Sequence, residues 1–280
     1  MFGREKIEHK SREQILLMRR AGLVVADALD AVRARIAPGM TTADLDAVAE
    51  EVILGAGATP SFLGYHGYPA SLCVSVNEEI VHGIPGPRVL QAGDVVSVDC
   101  GAIVDGWHGD SAVTVVLGEA DPLDVELATT TEDALWAGIA AIASADRLGA
   151  VGEAVEDVVE LAAARGANGG RAYGIVEDYV GHGIGTAMHQ PPDVPNFRTR
   201  DRGAKVRPGL CVAVEPMLVR GAEANHVLAD DWTVVTDDAS RAAHWEHTVA
   251  VHEGGLWVLT ARDGGAERLA RLGVQVAPLS

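Results

Sequence analysis

Residues 93–112, GDVVSVDCGAIVDGWHGDSA, decide the fold because they predict a β-hairpin. The mostly β-branched run at 95–98 is bounded by turn residues and predicts the first strand. Asp105 and Gly106 form the dipeptide that a two-residue hairpin turn favours. Residues 113–117 then complete the second strand.

The predicted hairpin brings two aspartates together. Pairing about the turn places Asp99 opposite Ala112. It likewise places Asp110 opposite Gly101. Side chains alternate along a strand, so Asp99 and Asp110 share a face as diagonal neighbours, about 7–8 Å apart at the backbone. Two carboxylates held in this way repel each other, and a divalent metal between them would relieve the repulsion. The alternative is that both are solvated residues near a turn.

The composition is that of a globular chain with an acidic surface. Its 280 residues are 48% hydrophobic, which is enough to bury a sizeable core in one or two domains. The formal net charge of −18 argues against a nucleic-acid partner or an anionic membrane surface. The sequence contains no run of about 18 apolar residues and no apolar leader, so neither a transmembrane helix nor a signal peptide is predicted.

The three cysteines, Cys73, Cys100 and Cys211, are far apart and form no CxxC motif. They therefore predict neither a disulfide framework nor a zinc knuckle. A reducing, cytoplasmic location is expected from this pattern.

Apolar residues at helical spacing predict four helices, at residues 11–37, 41–54, 122–143 and 151–165. Ser11 and Gln14 form a capping-box pattern at the first helix. Thr41 and Asp121 are expected to cap the second and third helices, and Gly55 to end the second. The apolar faces of these helices are expected to pack on the core, and no catalytic or binding role is assigned to them.

Residues 58–86 predict a loop that leads into a strand at 72–76. Three of the few aromatic residues, Phe62, Tyr65 and Tyr68, lie there among glycines, and His82 follows in a turn. One interpretation is an apolar pocket wall with a polar histidine. The other is a loop that its aromatic residues merely pack on the core.

Residues 181–192, GHGIGTAMHQPP, place two histidines in a glycine-dense loop. His182 and His189 are seven residues apart, so they do not form a helical metal pair, and the stretch lacks a phosphate-loop ending. The glycines would let backbone and histidine approach a ligand closely, although histidines are often purely structural.

Three further strands are predicted in the second half of the chain, at residues 209–216, 230–236 and 244–252. The first ends in Glu215, and the last carries Glu246.

An internal repeat relates the two halves of the chain. GDVVSVD at 93–99 aligns with GLCVAVE at 209–215, and each strand ends in a carboxylate. A pair of predicted helices precedes each strand. The repeat predicts an α+β fold with two pseudo-symmetric halves and a site where they meet.

The polar candidates form an acidic set with one imidazole and no thiolate: Asp99, Asp110, His182, Glu215 and Glu246. Two divalent metals bridged by carboxylates would use such a set. It is too acidic for one structural zinc ion.

From about residue 8 to residue 260 the chain resembles the type I methionine aminopeptidases of the M24 peptidases, in their short bacterial form. The resemblance is carried by GYHGYPASLCVSVNEEIVHGIP at 64–85, DGWHGD at 105–110, GHGIG at 181–185, VEPM at 214–217 and WEHTV at 245–249. It implies the pita-bread fold, with a central curved antiparallel sheet flanked by helices. We expect one catalytic domain over residues 11–280 after a tail at 1–10.

The resemblance also implies roles for individual residues. The five acidic and imidazole candidates would be metal ligands, with Asp110 and Glu246 bridging two ions whose identity (Co, Mn, Fe(II) or Zn) the sequence does not fix. His82 and His189 would touch substrate. As a metal ligand beside the attacking water, Glu215 is in turn expected to shuttle the proton. A methionine pocket would be lined by Phe62, Tyr65, Tyr68, Cys73, Met188 and Trp232. Phe62 stands where relatives often have cysteine, and Met188 where they often have phenylalanine.

The implied function is removal of the initiator methionine from nascent proteins and peptides, with a small second residue preferred, by metal-activated water. A cytoplasmic monomer that meets nascent N-termini, with transient ribosome association and no direct nucleic-acid or membrane binding, is expected. Alternatives are a prolidase or Xaa-Pro aminopeptidase of the same fold, an inactive binding protein of that fold, and a metal buffer. The intact ligand set and the shaped pocket argue against the last two.

Overall fold

The structure, a computed structural model, describes residues 6–279. Five α-helices lie within this range: α1 (Arg12–Arg35), α2 (Thr42–Gly55), α3 (Pro122–Ile142), α4 (Gly149–Ala164) and α5 (Ala266–Arg271). Short 3₁₀ turns occupy Tyr65–Gly67 and Ala167–Gly170. None of the helices in this part of the chain is long and apolar enough to cross a membrane.

Fifteen short strands complete the described fold: β1 (Thr59–Pro60), β2 (Leu72–Val76), β3 (Glu79–Val81), β4 (Val95–Val104), β5 (Trp107–Val116), β6 (Gly174–Ile175), β7 (Gly181–Gly183), β8 (Gln190–Val194), β9 (Cys211–Val214), β10 (Met217–Val219), β11 (Asn225–Val227), β12 (Val234–Thr236), β13 (Ala242–His244), β14 (His247–His252) and β15 (Gly255–Val258). All their pairings are antiparallel. The predicted α+β class is confirmed.

The central hairpin forms in the predicted register. β4 pairs with β5 so that Asp99 lies opposite Ala112 and Gly101 opposite Asp110. At the turn, Asp105 and Gly106 have φ angles of 51° and 81°. Two positive φ values are those of a type I′ turn, whose twist matches that of the strands it joins.

The two halves of the chain meet at this hairpin. One sheet contains β1, β4, β2 and β5, and a five-stranded sheet runs β15-β14-β9-β7-β8. A pair of backbone hydrogen bonds between Ala112 and Glu246, of 3.0 and 3.3 Å, joins the two sheets. Thr248 adds a side-chain link, since its hydroxyl accepts from the amide of Asp110 and donates to its carbonyl. The junction therefore fixes Asp110 and Glu246 next to each other.

Helix α1 packs closely on the hairpin because two glycines face each other. A Cβ added at Gly109 in β5 would come within 2.6 Å of the amide nitrogen of Gly22 in α1. The two helix pairs, α1–α2 and α3–α4, share one continuous core with both large sheets, in which Val98 and Val214 are fully buried.

The helices are capped by the residues predicted from the sequence, with one exception. Ser11 and Thr41 form capping boxes, and Asp121 caps α3. Gly55, which was predicted to end α2, is instead its last helical residue. The left-handed backbone falls on Gly57, with φ of 70°, two positions later.

The predicted strands of the second half are shorter than their patterns suggested. Residues 181–192 are not one loop, because β7 and β8 begin and end the stretch. Of the strand predicted at 230–236, only Val234–Thr236 pairs with neighbouring strands, as β12. Trp232 lies before this strand. The strand predicted at 244–252 is interrupted at 245–246, where Glu246 pairs with the other sheet.

Candidate active site

One cavity of about 240 Å³ lies where the two sheets meet, and every residue proposed from the sequence lines it. These residues are Asp99, Asp110, His182, Glu215, Glu246, His82, His189, Phe62, Tyr65, Tyr68, Cys73, Met188 and Trp232. The fold thus brings together side chains that are up to 184 positions apart, from Phe62 to Glu246.

Four buried carboxylates form the floor of the cavity. Asp99 and Asp110 come from the hairpin, Glu215 follows β9, and Glu246 lies at the junction of the sheets. Each has a buried oxygen without a hydrogen-bond partner in the described structure: Asp99 Oδ1, Asp110 Oδ1, Glu215 Oε1 and Glu246 Oε1. Unpaired carboxylate oxygens are costly to bury, so this set fits a divalent cation.

Burial is the main cause of the raised pKa of each of these carboxylates. It raises the pKa of Asp99 to about 7. Burial, followed by the charge of Asp99, also raises the pKa of Asp110 and Glu215 well above the usual range. The pKa of Glu246 rises for the same first reason, with repulsion from Asp110 next. A bound cation reverses this balance and favours the ionised forms.

His182 is oriented as a metal ligand would be. Its Nδ1 lies 3.0 Å from the carbonyl oxygen of Gly183, to which it donates, so the lone pair is on Nε2. That Nε2 faces the cavity, 3.4 Å from Oε1 of Glu215. Burial lowers the pKa of His182 to about 3, which keeps the imidazole neutral. Donor atoms of Asp110, His182 and Glu246 all lie within 4.8 Å of one another.

Two further histidines face the cavity. The ring of His189 contacts that of His182, with 4.3 Å between centroids, and its Nδ1 lies 2.8 Å from the Tyr65 hydroxyl. His82 packs edge-on against Trp232. Burial lowers the pKa of His82 to about 4 and also lowers that of His189, so both rings are neutral near pH 7.

The far wall of the cavity is apolar. It is a cluster of Phe62, Tyr68, Ala70, Cys73 and Met188, with Tyr65, Ile84 and Trp232 packed against it. The Tyr68 hydroxyl donates to the backbone within 3.0 Å, at the carbonyl oxygens of Leu72 and Gly83. Burial raises the pKa of the Cys73 thiol, which therefore stays protonated and acts as a small apolar group.

Two ring-bearing residues of the cavity, His244 and Tyr179, were not predicted from the sequence. His244 is 2% exposed, its Nε2 has no hydrogen-bond partner among the described residues, and Oε2 of Glu215 lies 3.9 Å away. A signal was present, because His244 and Glu246 are two positions apart in the strand predicted at 244–252, where alternate side chains share a face. Tyr179, which packs on His82, had no comparable signal.

The fold and site together define a class of protein. An oxygen-rich centre that fits divalent metal, at the junction of two antiparallel sheets and beside an apolar pocket, is the arrangement of a metal-dependent hydrolase. The model of metallopeptidase family M24 matches residues 16–253. The chain belongs to metallopeptidase family M24.

Curated relatives agree with this assignment. The chain is similar to methionine aminopeptidase 1 of Mycobacterium tuberculosis, with 50% identity over 259 residues that cover 92% of this chain and 96% of the relative. It is 41% identical over 251 residues to methionine aminopeptidase 1 of Bacillus subtilis, covering 90% and 98% of the two chains. The predicted family resemblance is confirmed.

Solved structures confirm the predicted pita-bread fold. The methionine aminopeptidase of Thermotoga maritima superposes with a TM-score of 0.86 and 40% identity, covering 92% of this chain and all of the other. The prolidase of Pyrococcus furiosus has the same fold, with a TM-score of 0.69, but it is only 18% identical and this chain covers 65% of it.

Proposed function

We propose that this M24 peptidase is a methionyl aminopeptidase that removes the initiator methionine from nascent proteins and peptides, with a small second residue preferred. The observation that carries the proposal is the apolar wall around Phe62, Cys73 and Met188 in the same cavity as the four carboxylates. An enclosed apolar wall suits an unbranched, polarizable side chain such as that of methionine. The names of the aligned relatives point to the same substrate.

Two divalent ions would be held by Asp99, Asp110, His182, Glu215 and Glu246. The unpaired oxygens of the four carboxylates, and the Nε2 lone pair of His182 beside Glu215, support this set of ligands. Oxygen donors with one imidazole suit Mn²⁺, Fe²⁺, Co²⁺ or Zn²⁺. When bound, such ions lower the pKa of water and polarise a scissile carbonyl.

Glu215 is the proposed proton shuttle. Its Oε1 has no hydrogen-bond partner in the described structure and lies among the other proposed ligands, so the carboxylate is placed to accept a proton from a water bound there. It would take a proton from the attacking water and pass it to the leaving amine, so that one group serves as base and then as acid.

His189 is the proposed hydrogen-bond donor to the tetrahedral intermediate. If the Tyr65 hydroxyl donates to Nδ1, the neutral ring carries its proton on Nε2, which is the donor that the intermediate needs. His82 would hold the substrate near the scissile bond. The free α-amine of the substrate would meet the carboxylates, which restricts cleavage to the first residue.

Residues 11–280 would form one catalytic domain, and the protein would act in the cytoplasm as a monomer. It would meet nascent N-termini with transient ribosome association and without reading nucleic acid. The net charge of −18 supports the last point, since a strongly acidic surface repels phosphate backbones.

The decisive experiment is hydrolysis of Met-Gly-Met by metal-stripped protein titrated with Mn²⁺ and with Co²⁺. We expect free methionine to appear only with metal, and Leu-Gly-Met and Xaa-Pro dipeptides to remain intact. Cleavage of the Xaa-Pro dipeptides instead would keep the metal site and overturn the methionine pocket. Metal binding without cleavage of any peptide would show a binding protein.

A further inference from the structure

The segment just before α1 contacts the loop that carries two of the proposed substrate-binding residues. Oxygens of the Glu8 carboxylate accept hydrogen bonds from the amide of Thr186 at 3.3 Å and from its hydroxyl at 3.0 Å. The side-chain amide of Gln190 donates a third bond, at 2.8 Å. One carboxylate thus joins two points on a distant part of the chain.

These two points enclose the functional part of the loop. Met188 and His189 lie between Thr186 and Gln190, in the connection from β7 to β8. Residues 184–189 belong to no strand, so this connection depends on other contacts for its conformation. Backbone bonds hold its first two residues, and Glu8 supplies bonds at Thr186 and Gln190, on either side of Met188 and His189. Any displacement of the loop would move the His189 ring relative to Tyr65 and His182.

Lys10 holds Glu8 in place. Its side chain is 1% exposed, and its Nζ lies 3.4 Å from Oε2 of Glu8 and donates to the Glu8 carbonyl at 3.0 Å. Gly185 lies directly against both side chains, since a Cβ there would come within 2.4 Å of Oε2 of Glu8 and of Cε of Lys10. A larger residue at 185 would have to displace the ends of these two side chains.

The same segment is tied to the strand that leads to Glu215. The amide of Lys10 donates to the carbonyl of Gly209 at 2.7 Å. Gly209 precedes β9, whose end positions Glu215. The segment therefore links the loop of His189 to the start of β9, the strand that leads to Glu215.

We propose that Glu8, held by Lys10, is a positioning residue for the proposed peptidase reaction, acting through His189 and Met188. It touches neither substrate nor metal ligands in this role. It fixes the loop so that the His189 ring stays at the hydrogen-bond distance that catalysis requires. Small misplacements of such a group reduce rates strongly. The inference rests on the proposed function for its kinetic consequence, but not for its structural one.

The structural consequence is tested by hydrogen exchange in Glu8→Ala. We expect amides of residues 186–190 to exchange faster than in the parent protein, while those of β4 and β5 stay unchanged. Glu51→Ala is the matched control, because Glu51 is an exposed carboxylate paired only with Arg35 in the contacts described. Unchanged exchange of the loop in Glu8→Ala would overturn the proposal whether or not the protein cleaves methionyl peptides.

The kinetic consequence is tested by a double-mutant cycle. We expect Glu8→Ala to lower kcat/KM on Met-Gly-Met by about tenfold with metal affinity unchanged. In a His189→Ala background the same change should cost less than about twofold, because the residue through which Glu8 acts is already gone. Glu8→Gln, which keeps one acceptor oxygen, should recover most of the activity.

Two results separate the failure of this inference from failure of the proposed function. A parent protein that fails to cleave Met-Gly-Met with any metal refutes the function, and loop exchange still decides the role of Glu8. An active parent protein with equal losses from Glu8→Ala in both backgrounds would show that Glu8 acts on the fold generally, and the positioning role would be wrong.

Discussion

The Tyr65 hydroxyl and Nδ1 of His189 lie 2.8 Å apart and connect the aromatic loop of the first half to the glycine-rich loop of the second. His189 is neutral because burial lowers its pKa. A neutral imidazole has one donor nitrogen and one acceptor nitrogen, so its partner at Nδ1 decides which role Nε2 has. Tyr65 as donor makes Nε2 the donor into the cavity.

Tyr65→Phe should lower kcat on Met-Gly-Met about fivefold and change KM little. The reason is that the substitution removes one hydrogen bond, of about 1 kcal/mol, while the ring still packs. Steady-state kinetics measure both constants. Tyr173→Phe, in a separate buried cluster behind α3, is the control and should leave both unchanged. A normal kcat in Tyr65→Phe would show that the ring of His189 is fixed by other contacts.

Glu215→Gln should bring turnover of Met-Gly-Met to near background, because an amide cannot shuttle the proton and binds a cation more weakly. Titration of the variant with Mn²⁺ separates these effects, and assays at saturating metal isolate the proton transfer. A variant that kept the parent kcat/KM would remove Glu215 from the proton path.

His244→Leu tests whether an unpartnered imidazole serves the site. Its Nε2 lies 3.9 Å from Oε2 of Glu215 without a hydrogen-bond partner in the described chain, which costs stability. Leucine removes that cost, so the free energy of unfolding of the metal-free variant should rise by about 1–3 kcal/mol, with a higher melting temperature. If His244 orients Glu215, kcat/KM should fall about tenfold in the same protein. Higher stability with full activity would show that His244 is only a core residue.

The hairpin and its pair of aspartates could be predicted because the information is local. Alternating side chains and an Asp-Gly turn fix the register, and the structure pairs Asp99 with Ala112 as expected. Glu215 was predicted as the end of a repeated strand, and Glu246 from its place in the predicted strand at 244–252 and in the family motif at 245–249. The cavity that unites all these residues agrees with the predicted site, while their individual roles stay predictions.

The features that could not be predicted depend on contacts between residues far apart in the sequence, which no local pattern indicates. Glu246 interrupts its strand because its backbone pairs with Ala112 of the other half. β7 is made of Gly181, His182 and Gly183, whose glycines give no side-chain alternation to recognise. The contact from Glu8 to Thr186 spans 178 positions, so the residues before α1 could be predicted only as a tail.

The metal-free protein should lose stability as pH rises from 7 to 8.5. The pKa of Asp99 is raised to about 7 and those of its three neighbours are also raised, so the folded state holds protons that the unfolded chain has lost. The stability that such groups contribute is fully present below their pKa in the unfolded chain. It is lost as the pH rises through their pKa in the folded state. The buried histidines act oppositely, but only below about pH 6.5.

Thermal unfolding with chelator and with Mn²⁺ at both pH values tests this dependence. We expect the melting temperature of the metal-free protein to fall by about 4 °C, and Mn²⁺ to restore more stability at pH 8.5 than at pH 7. Asp99→Asn should flatten the metal-free curve. A metal-free melting temperature that stays constant over this range would mean that these carboxylates are already ionised in the fold.

Gly109→Ala and Gly55→Ala should have opposite effects on stability, although both add one methyl group. At Gly109 the methyl group would meet the backbone of Gly22 at 2.6 Å, so α1 must move away from the hairpin that carries Asp110. Overpacking of this kind costs about 1–3 kcal/mol. At Gly55, the last residue of α2, nothing lies within 4 Å of the added atom among the described residues, and alanine favours helix by about 0.5–1 kcal/mol.

Urea unfolding of the metal-free variants measures both changes directly. Because the moved hairpin carries a proposed ligand, Gly109→Ala should also weaken Mn²⁺ binding, whereas Gly55→Ala should leave it unchanged. Equal midpoints for the two variants would contradict the close packing of α1 on β5. Lower stability in Gly109→Ala with unaltered Mn²⁺ affinity would show that the junction between Ala112 and Glu246, rather than α1, holds Asp110 in position.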